Sequence, residues 1–258
     1  VTGAGAPPGE FRLRAWRNPL HLAVSGSLWR SAWFLLSYLL VAGWLLFAAG
    51  LAATVTAVFL AVTIAGIPLL AAAAGVLRGC ANAERARLSA VFTQPVRGRY
   101  QPVTRPGIVA RASTRWKDGA TWRDLAYLVG LWGPLTALDL TVFTVWGLFL
   151  AGVTAPAWYW IPRSTFPGGQ VVHGLQIGYF PNGPHGTGGW GVYVDTFPRA
   201  LAMAAVCLVA FLIFNYVVVL TARAHALVAR ALLRAPADPL AAARDVLARP
   251  GPLPALTP

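Results

Sequence analysis

Two long uncharged runs dominate the chain. Between Arg30 and Arg78 lie 47 residues without a charge, and Ala200 to Ala222 adds another 23. A third run begins after Asp124 and is broken only by Asp139 before Arg163. A helix needs about 20 apolar residues to cross a hydrocarbon core. The first run therefore suits two crossings joined by a tight turn. Gly50 to Thr54 is the expected turn, because glycine readily ends helices. The pattern predicts spans at about 31–50, 55–77, 125–153 and 200–222. The first run far exceeds the roughly 7–15 apolar residues of a signal-peptide core.

The polar segments fill in the rest. Residues 1–20 are small and Gly/Pro-rich and read as a disordered arm. Thr121 with Asp124 three residues on reads as a capping box opening the third span. The stretch "RGCANAERARLSAVF" reads either as an interfacial helix or as a continuation of the second span; residues 95–106 read as loop. "QVVHGLQIGYF" and "WGVYVDTF" carry β-branched and aromatic residues suited to short strands. The fourth span should continue as helix to about Leu233, where Pro236 and Pro239 interrupt it. A short helix at about 238–248 is expected within a tail of 236–258. The fold class is thus an all-α membrane protein: four transmembrane helices within 21–235, and a small extracellular cap with a β-hairpin.

Composition supports this. The chain is 57% hydrophobic and 11% charged, with mean hydropathy +0.60, whereas soluble domains carry about 25% charged residues. The net charge of +13 is not a sign of nucleic acid, because membrane proteins collect Lys and Arg in cytoplasmic loops. The N-terminal arm holds four such residues, the 78–123 loop ten and the tail from Arg223 five, against two in the 151–199 loop (Arg163, Arg199). Both termini and the middle loop are therefore expected in the cytoplasm of a multi-pass plasma-membrane protein, with the lipid bilayer as first partner. Trp29, Trp33, Trp116 and Trp122 would mark the inner edge, and Trp146, Trp158, Tyr159 and Trp160 the outer edge.

Candidate chemistry is sparse. Asp139 stands near mid-bilayer, where carboxylates are costly and often functional. No Lys or Arg in another span can pair with it, so it should be neutral or bonded to Thr56 or Thr63, and Asp139→Asn should be mild. His173, His185 and Asp195 share the outer loop without a metal-binding spacing. Cys80 and Cys207 suggest neither a disulfide nor zinc. No catalytic set is recognisable, so no enzyme, metal or cofactor is expected. Gly43, Gly50, Gly130 and Gly133 would allow close helix packing.

The segments "WRSAWFLLSYLL", "IAGIPLL", "ERARL", "TWRDLAYL" and "ARAHALVARALL" follow one another in an order and spacing that resembles a known family. It is the four-helix sensor domain at the N-terminus of actinobacterial sensor histidine kinases. The resemblance covers about residues 20–235. It implies an input module, with a histidine kinase or response regulator as cytoplasmic partner and a second copy of the chain as another. The chain departs from the kinase pattern after Leu233, where 25 residues follow and no kinase. A stand-alone sensor domain or a piece of a kinase are both expected readings, and Val1, read from a GTG start codon, favours the first. For ligand contact the outer aromatics Trp158, Tyr159, Trp160, Tyr179 and Trp190 are expected. For output, Leu227, Val228, Ala231 and Leu232 form an apolar stripe. The alternative is a small transporter or channel subunit using Asp139.

Overall fold

The computed structural model describes residues 11–13, 18–60, 66–104, 106–166, 169, 171–183 and 186–235. The expected helix at 238–248, the rest of the tail, Thr63 and His185 lie outside them.

The chain is mostly helical. Asn18 accepts a hydrogen bond from Leu20 N (3.0 Å) and starts α1, Pro19–Val24. Ser25 Oγ caps α2, Gly26–Ser37, by accepting from Leu28 N. One π-helical turn, Tyr38–Ala42, joins α2 to α3, Gly43–Leu60. There is no break at Gly50–Thr54, against expectation. Gly50 is buried inside α3, close to Leu77, Leu128 and Val129, and Thr54 satisfies its hydroxyl by donating to Gly50 O (2.8 Å).

Helix α4 is Gly66–Leu88, so the "ERARL" segment continues the helix rather than forming a separate one. Its Ala73 and Leu69 share a groove with Ala53 and Thr56 of α3, an antiparallel pairing. Helix α5 is Ile108–Lys117 and α6 is Gly119–Leu125. The expected Thr121 cap is corrected to Asp118, whose carboxylate accepts from Ala120 N (3.0 Å), while Thr121 Oγ1 donates to Arg115 O. A second π-helical turn, Ala126–Gly130, leads into α7, Trp132–Thr154, and α8 is Phe197–Leu233.

Among the described residues three helices are long and apolar enough to cross a membrane: Gly26–Leu60, Trp132–Ala157 and Phe197–Leu233. Helix α4 is not among them. Its uncharged stretch ends at Arg78, and about 12 residues rise only about 18 Å against about 30 Å of hydrocarbon.

Between α7 and α8 lie β1 Arg163–Thr165, β2 Val171–His173, β3 Leu175–Tyr179 and β4 Trp190–Val194, paired antiparallel as β1–β2 and β3–β4. The β3–β4 hairpin is the expected one; β1 has no clear sequence signal. Gly178 and Gly191 face each other at φ 137° and 145°, and a Cβ on either would meet backbone of the opposite strand within 2.3 Å. Only glycine fits both.

Of the arm expected to be disordered, residues 11–13 are packed. Phe11 bridges Phe92, Leu13 is fully buried, and Arg223 donates to Leu13 O. An apolar pair and a satisfied carbonyl hold this piece despite its Gly/Pro-rich flank.

Of the expected helix-packing glycines, Gly50 does lie against Leu77 of α4, whereas a Cβ on Gly130 or Gly133 would meet nothing within 4 Å. The close approach is Gly152 of α7 against Cys207 of α8, where a Cβ would lie 2.3 Å from Sγ and 2.9 Å from the cysteine Cβ. Gly152→Ala is expected to destabilise by about 1–3 kcal/mol, the usual range for overpacking. Thermal unfolding in detergent measures it, and Cys207→Gly should recover part of the loss.

Candidate functional site

The carboxylates locate the site. All five among the described residues pair with a basic side chain: Glu84 with Arg87, Asp118 with Arg78, Asp124 with Arg85, Asp139 with His225 and Asp195 with Arg199. The first four are buried. In a chain with so large an excess of positive charge, acids are scarce and most are spent inside the bundle.

A continuous polar chain runs between the helices. His225 Nδ1 lies 2.7 Å from Asp139 Oδ2, and both side chains are fully buried. The opposite ring nitrogen, Nε2, is 3.3 Å from Tyr127 Oη. Tyr127 donates to Glu84 Oε1 at 2.7 Å. Arg87 grips Glu84 with two nitrogens, Nε at 2.9 Å from Oε2 and a terminal nitrogen on Oε1. It also donates to Phe34 O at 2.7 Å, and its guanidinium lies 4.1 Å from the Phe34 ring centroid. The rings of Phe34 and Tyr38 meet the His225 imidazole edge-on at 5.4 and 4.5 Å. One chain thus touches α2, α4, the π-helical turn before α7, α7 and α8.

Helical periodicity explains why these side chains meet. Glu84 and Arg87 are three residues apart and so neighbours on one face of α4. His225 shares the inner face of α8 with Ala222, Ala226, Ala229 and Leu233, all buried. Alanines there let α8 approach the bundle closely enough for the imidazole to reach α7.

A second cluster ties down the end of α8. Arg85 donates to Leu233 O (2.9 Å), to Asp124 Oδ1 (2.6 Å) and to Tyr100 Oη (2.6 Å). Tyr100 in turn donates to Asp124 Oδ2 at 2.7 Å. Arg85 thereby satisfies one of the last helix carbonyls, which have no partner within the helix. Asp118 accepts from Arg78 and from Gln101 N, both at 3.0 Å.

Electrostatics follow the geometry. Burial pushes the Glu84 carboxyl up, but the Arg87 guanidinium and the Tyr127 hydroxyl outweigh it and hold its pKa below the ordinary value. For Asp124 burial wins, and its pKa is raised despite Tyr100 and Arg85. Burial, then hydrogen bonding to Asp124, pushes Tyr100 up to about 12.

The sequence-expected residues fare unevenly. Asp139 is buried, but its partner is His225 rather than a threonine: Thr56 faces the α3–α4 groove, and an imidazole from α8 replaces the missing Lys or Arg. Tyr179 and Trp190 come together as a cross-strand pair. Tyr159 and Trp160 contact each other edge-on, and Trp158 donates to Thr154 Oγ1. Leu227, Val228 and Ala231 are exposed and point away from the bundle, whereas Leu232 is half-buried and packs against the core. His173 and Asp195 have local roles: the His173 carbonyl accepts from Tyr193 Oη, and Asp195 pairs with Arg199. Trp146 is buried, donating to Asn215 Oδ1 at 2.8 Å, and is not an interfacial anchor.

Glu84, Arg85, Arg87, Tyr127 and His225 were not expected as site residues. The signal was present: each interrupts or borders an apolar stretch.

The arrangement is that of a helical bundle with a buried polar core. The chain belongs to the family described as "Putative sensor", which matches residues 34–233. No curated protein and no solved structure matches it.

Proposed function

We propose that the protein is a plasma-membrane input module, of the kind that serves two-component signalling. It would take a signal from outside or from the bilayer and pass it through α8 to a cytoplasmic histidine kinase or response regulator. The observation that carries this reading is the polar chain from Asp139 to Arg87, which links five segments and holds α8 at His225. Arg85 holds the same helix again at its last turn. A shift of α8 changes every link at once, so two packings of similar energy, one preferred by the ligand, form a switch. Of the expected stripe, Leu227, Val228 and Ala231 face away from the bundle and are available to a partner helix. Val228→Asp with Ala231→Asp is expected to abolish partner co-purification while leaving the melting temperature nearly unchanged. Undiminished co-purification sinks the stripe as the output surface.

Orientation is proposed from charge, with residues 155–196 outside and the 78–123 loop and the tail inside. The packing of residues 11–13 against Val91, Phe92 and Arg223 supports a shared inner face for the arm. Four passes, the α3–α4 hairpin making the first two, are proposed from the length of the uncharged run alone, and they require the first pass to run parallel to α7. In a background without Cys80 and Cys207, cysteine at Asn182 is expected to react with an impermeant thiol reagent, and cysteine at Thr104 is not. A cysteine within residues 61–65 is the sharper test, because α2–α3 contacts α7 in antiparallel order, Trp29 on Trp146 and Trp44 on Trp132. Reaction from outside supports four passes; protection there makes the hairpin re-entrant.

A second reading, a transporter or channel subunit, gains from the same chain. Asp139 now has polar neighbours on several helices, and its Oδ1 is buried without a hydrogen-bond partner. A proton or ion flux abolished by Asp139→Asn would favour it over sensing.

A further inference from the structure

The β3–β4 hairpin has one face that is apolar throughout. Strand residues alternate between faces, and directly paired residues share one. The register pairs Leu175 with Val194, Ile177 with Val192 and Tyr179 with Trp190. These six side chains therefore line one side. The other side carries Gln176, Tyr193 and the facing glycines Gly178 and Gly191. Such a face belongs against a core, yet Ile177, Tyr179, Val192 and Trp190 are 53%, 59%, 56% and 73% exposed. Val194, nearest α8, is fully buried.

The face does not end at the hairpin. Between β4 and the first turns of α8 is a cavity of about 560 Å³, lined by Val192, Tyr193 and Val194 on one side and Ala202, Met203 and Val206 on the other. That volume falls in the range of about 300–1,000 Å³ usual for small-molecule sites. Its one charged lining residue is Arg199. The guanidinium meets Asp195 at 2.6 Å in an ion pair whose arginine is 58% exposed, and exposed pairs of this kind are worth little. The helix wall belongs to Phe197–Leu233, one of the three helices apolar and long enough to cross a membrane.

We infer that this crease and the apolar hairpin face bind an anionic phospholipid of the outer leaflet. The acyl chain lies between Val192 and the Ala202–Val206 turn. The phosphate lies on Arg199, whose planar fork suits phosphate oxygens. Tyr179 and Trp190, at the far end of the face, rest at headgroup depth, where aromatic rings are favoured. Apolar surface continuous with a membrane-crossing helix, and a single arginine at its entry turn, argue for a lipid over a soluble partner. The inference rests on the proposed crossing of α8 with residues 155–196 outside. It deepens the sensor reading by naming the class of molecule that would bias α8.

The test uses the full chain in vesicles of phosphatidylcholine with or without phosphatidylglycerol. A photo-crosslinking amino acid replaces Val192 or, on the opposite face, Gln176. Position 192 is expected to label lipid about tenfold more than 176, and Arg199→Gln to remove a preference for phosphatidylglycerol of about tenfold, the size of one charge-assisted contact. Arg199→Lys should keep part of that preference, since charge remains without the fork. Equal labelling at 176 and 192, crosslinks from 192 to another protein chain, or an unchanged preference in Arg199→Gln each overturn the inference. Thiol labelling at Asn182 separates the two possible failures. If that position is inaccessible from outside, the crossing is wrong; if it is accessible and lipid labelling is absent, only the lipid site is wrong.

Discussion

Glu84→Ala is expected to lower stability by about 3–5 kcal/mol, the cost of leaving one partner of a buried ion pair alone. Arg87 would keep its charge in a site where it is 12% exposed, and Tyr127 would lose its acceptor. Chemical unfolding in detergent measures the loss. Glu84→Gln should be milder, because the amide still accepts from Tyr127. The comparison with Glu84→Gln also predicts a pH dependence. The folded pKa of Glu84 is depressed below its ordinary value of 4.5. Its contribution is therefore complete above that value and is lost as pH falls through the folded pKa. The advantage of the wild type over Glu84→Gln should be constant near neutrality and shrink below about 4.5. A gap that stays constant into the acid range would show that the fold does not depress the Glu84 pKa.

The second large effect is expected at Asp139 and His225. Asp139→Leu or His225→Phe alone leaves a buried polar partner unsatisfied, at about 1–3 kcal/mol each. The double variant should recover much of that loss, with a coupling of about 0.5–3 kcal/mol. Phenylalanine suits position 225 because the rings of Phe34 and Tyr38 already surround the imidazole. Asp139→Asn remains the mild change expected from sequence, now for a different reason: the amide can still hydrogen-bond to His225. Strict additivity of the two single losses would mean that the pair is not coupled. If the double variant is as stable as the wild type but has lost its response to membrane or external stimuli, the pair serves signalling rather than folding.

How much was legible can be argued from particular residues. The end of α7 and the extent of α8 followed from the uncharged runs and the Leu233 limit, because a membrane-crossing helix demands uninterrupted apolar length; the start of α7 at Trp132, after a π-helical turn, did not. The β3–β4 hairpin followed from β-branched and aromatic residues around a Gly/Pro-rich turn. The hairpin tip between α3 and α4 was misplaced, since Gly50 has a packing role that local propensity cannot distinguish from a helix end. Asp118 was overlooked as a cap because Thr121 and Asp124 offered an equally good local pattern. Tertiary contacts with Arg85 and Tyr100 claim Asp124 instead.

The sequence by itself determined that the chain forms long apolar helices, because uncharged runs of this length admit few other structures. Its motif order also placed the chain near a sensor family. Only the tertiary structure decided which polar residues matter. Glu84, Tyr127, Asp139 and His225 are separated by 43 positions from first to second and 86 from third to last. No periodicity relates them. Their meeting depends on the way α4, α7 and α8 pack, which lies in contacts between segments and not within any one of them.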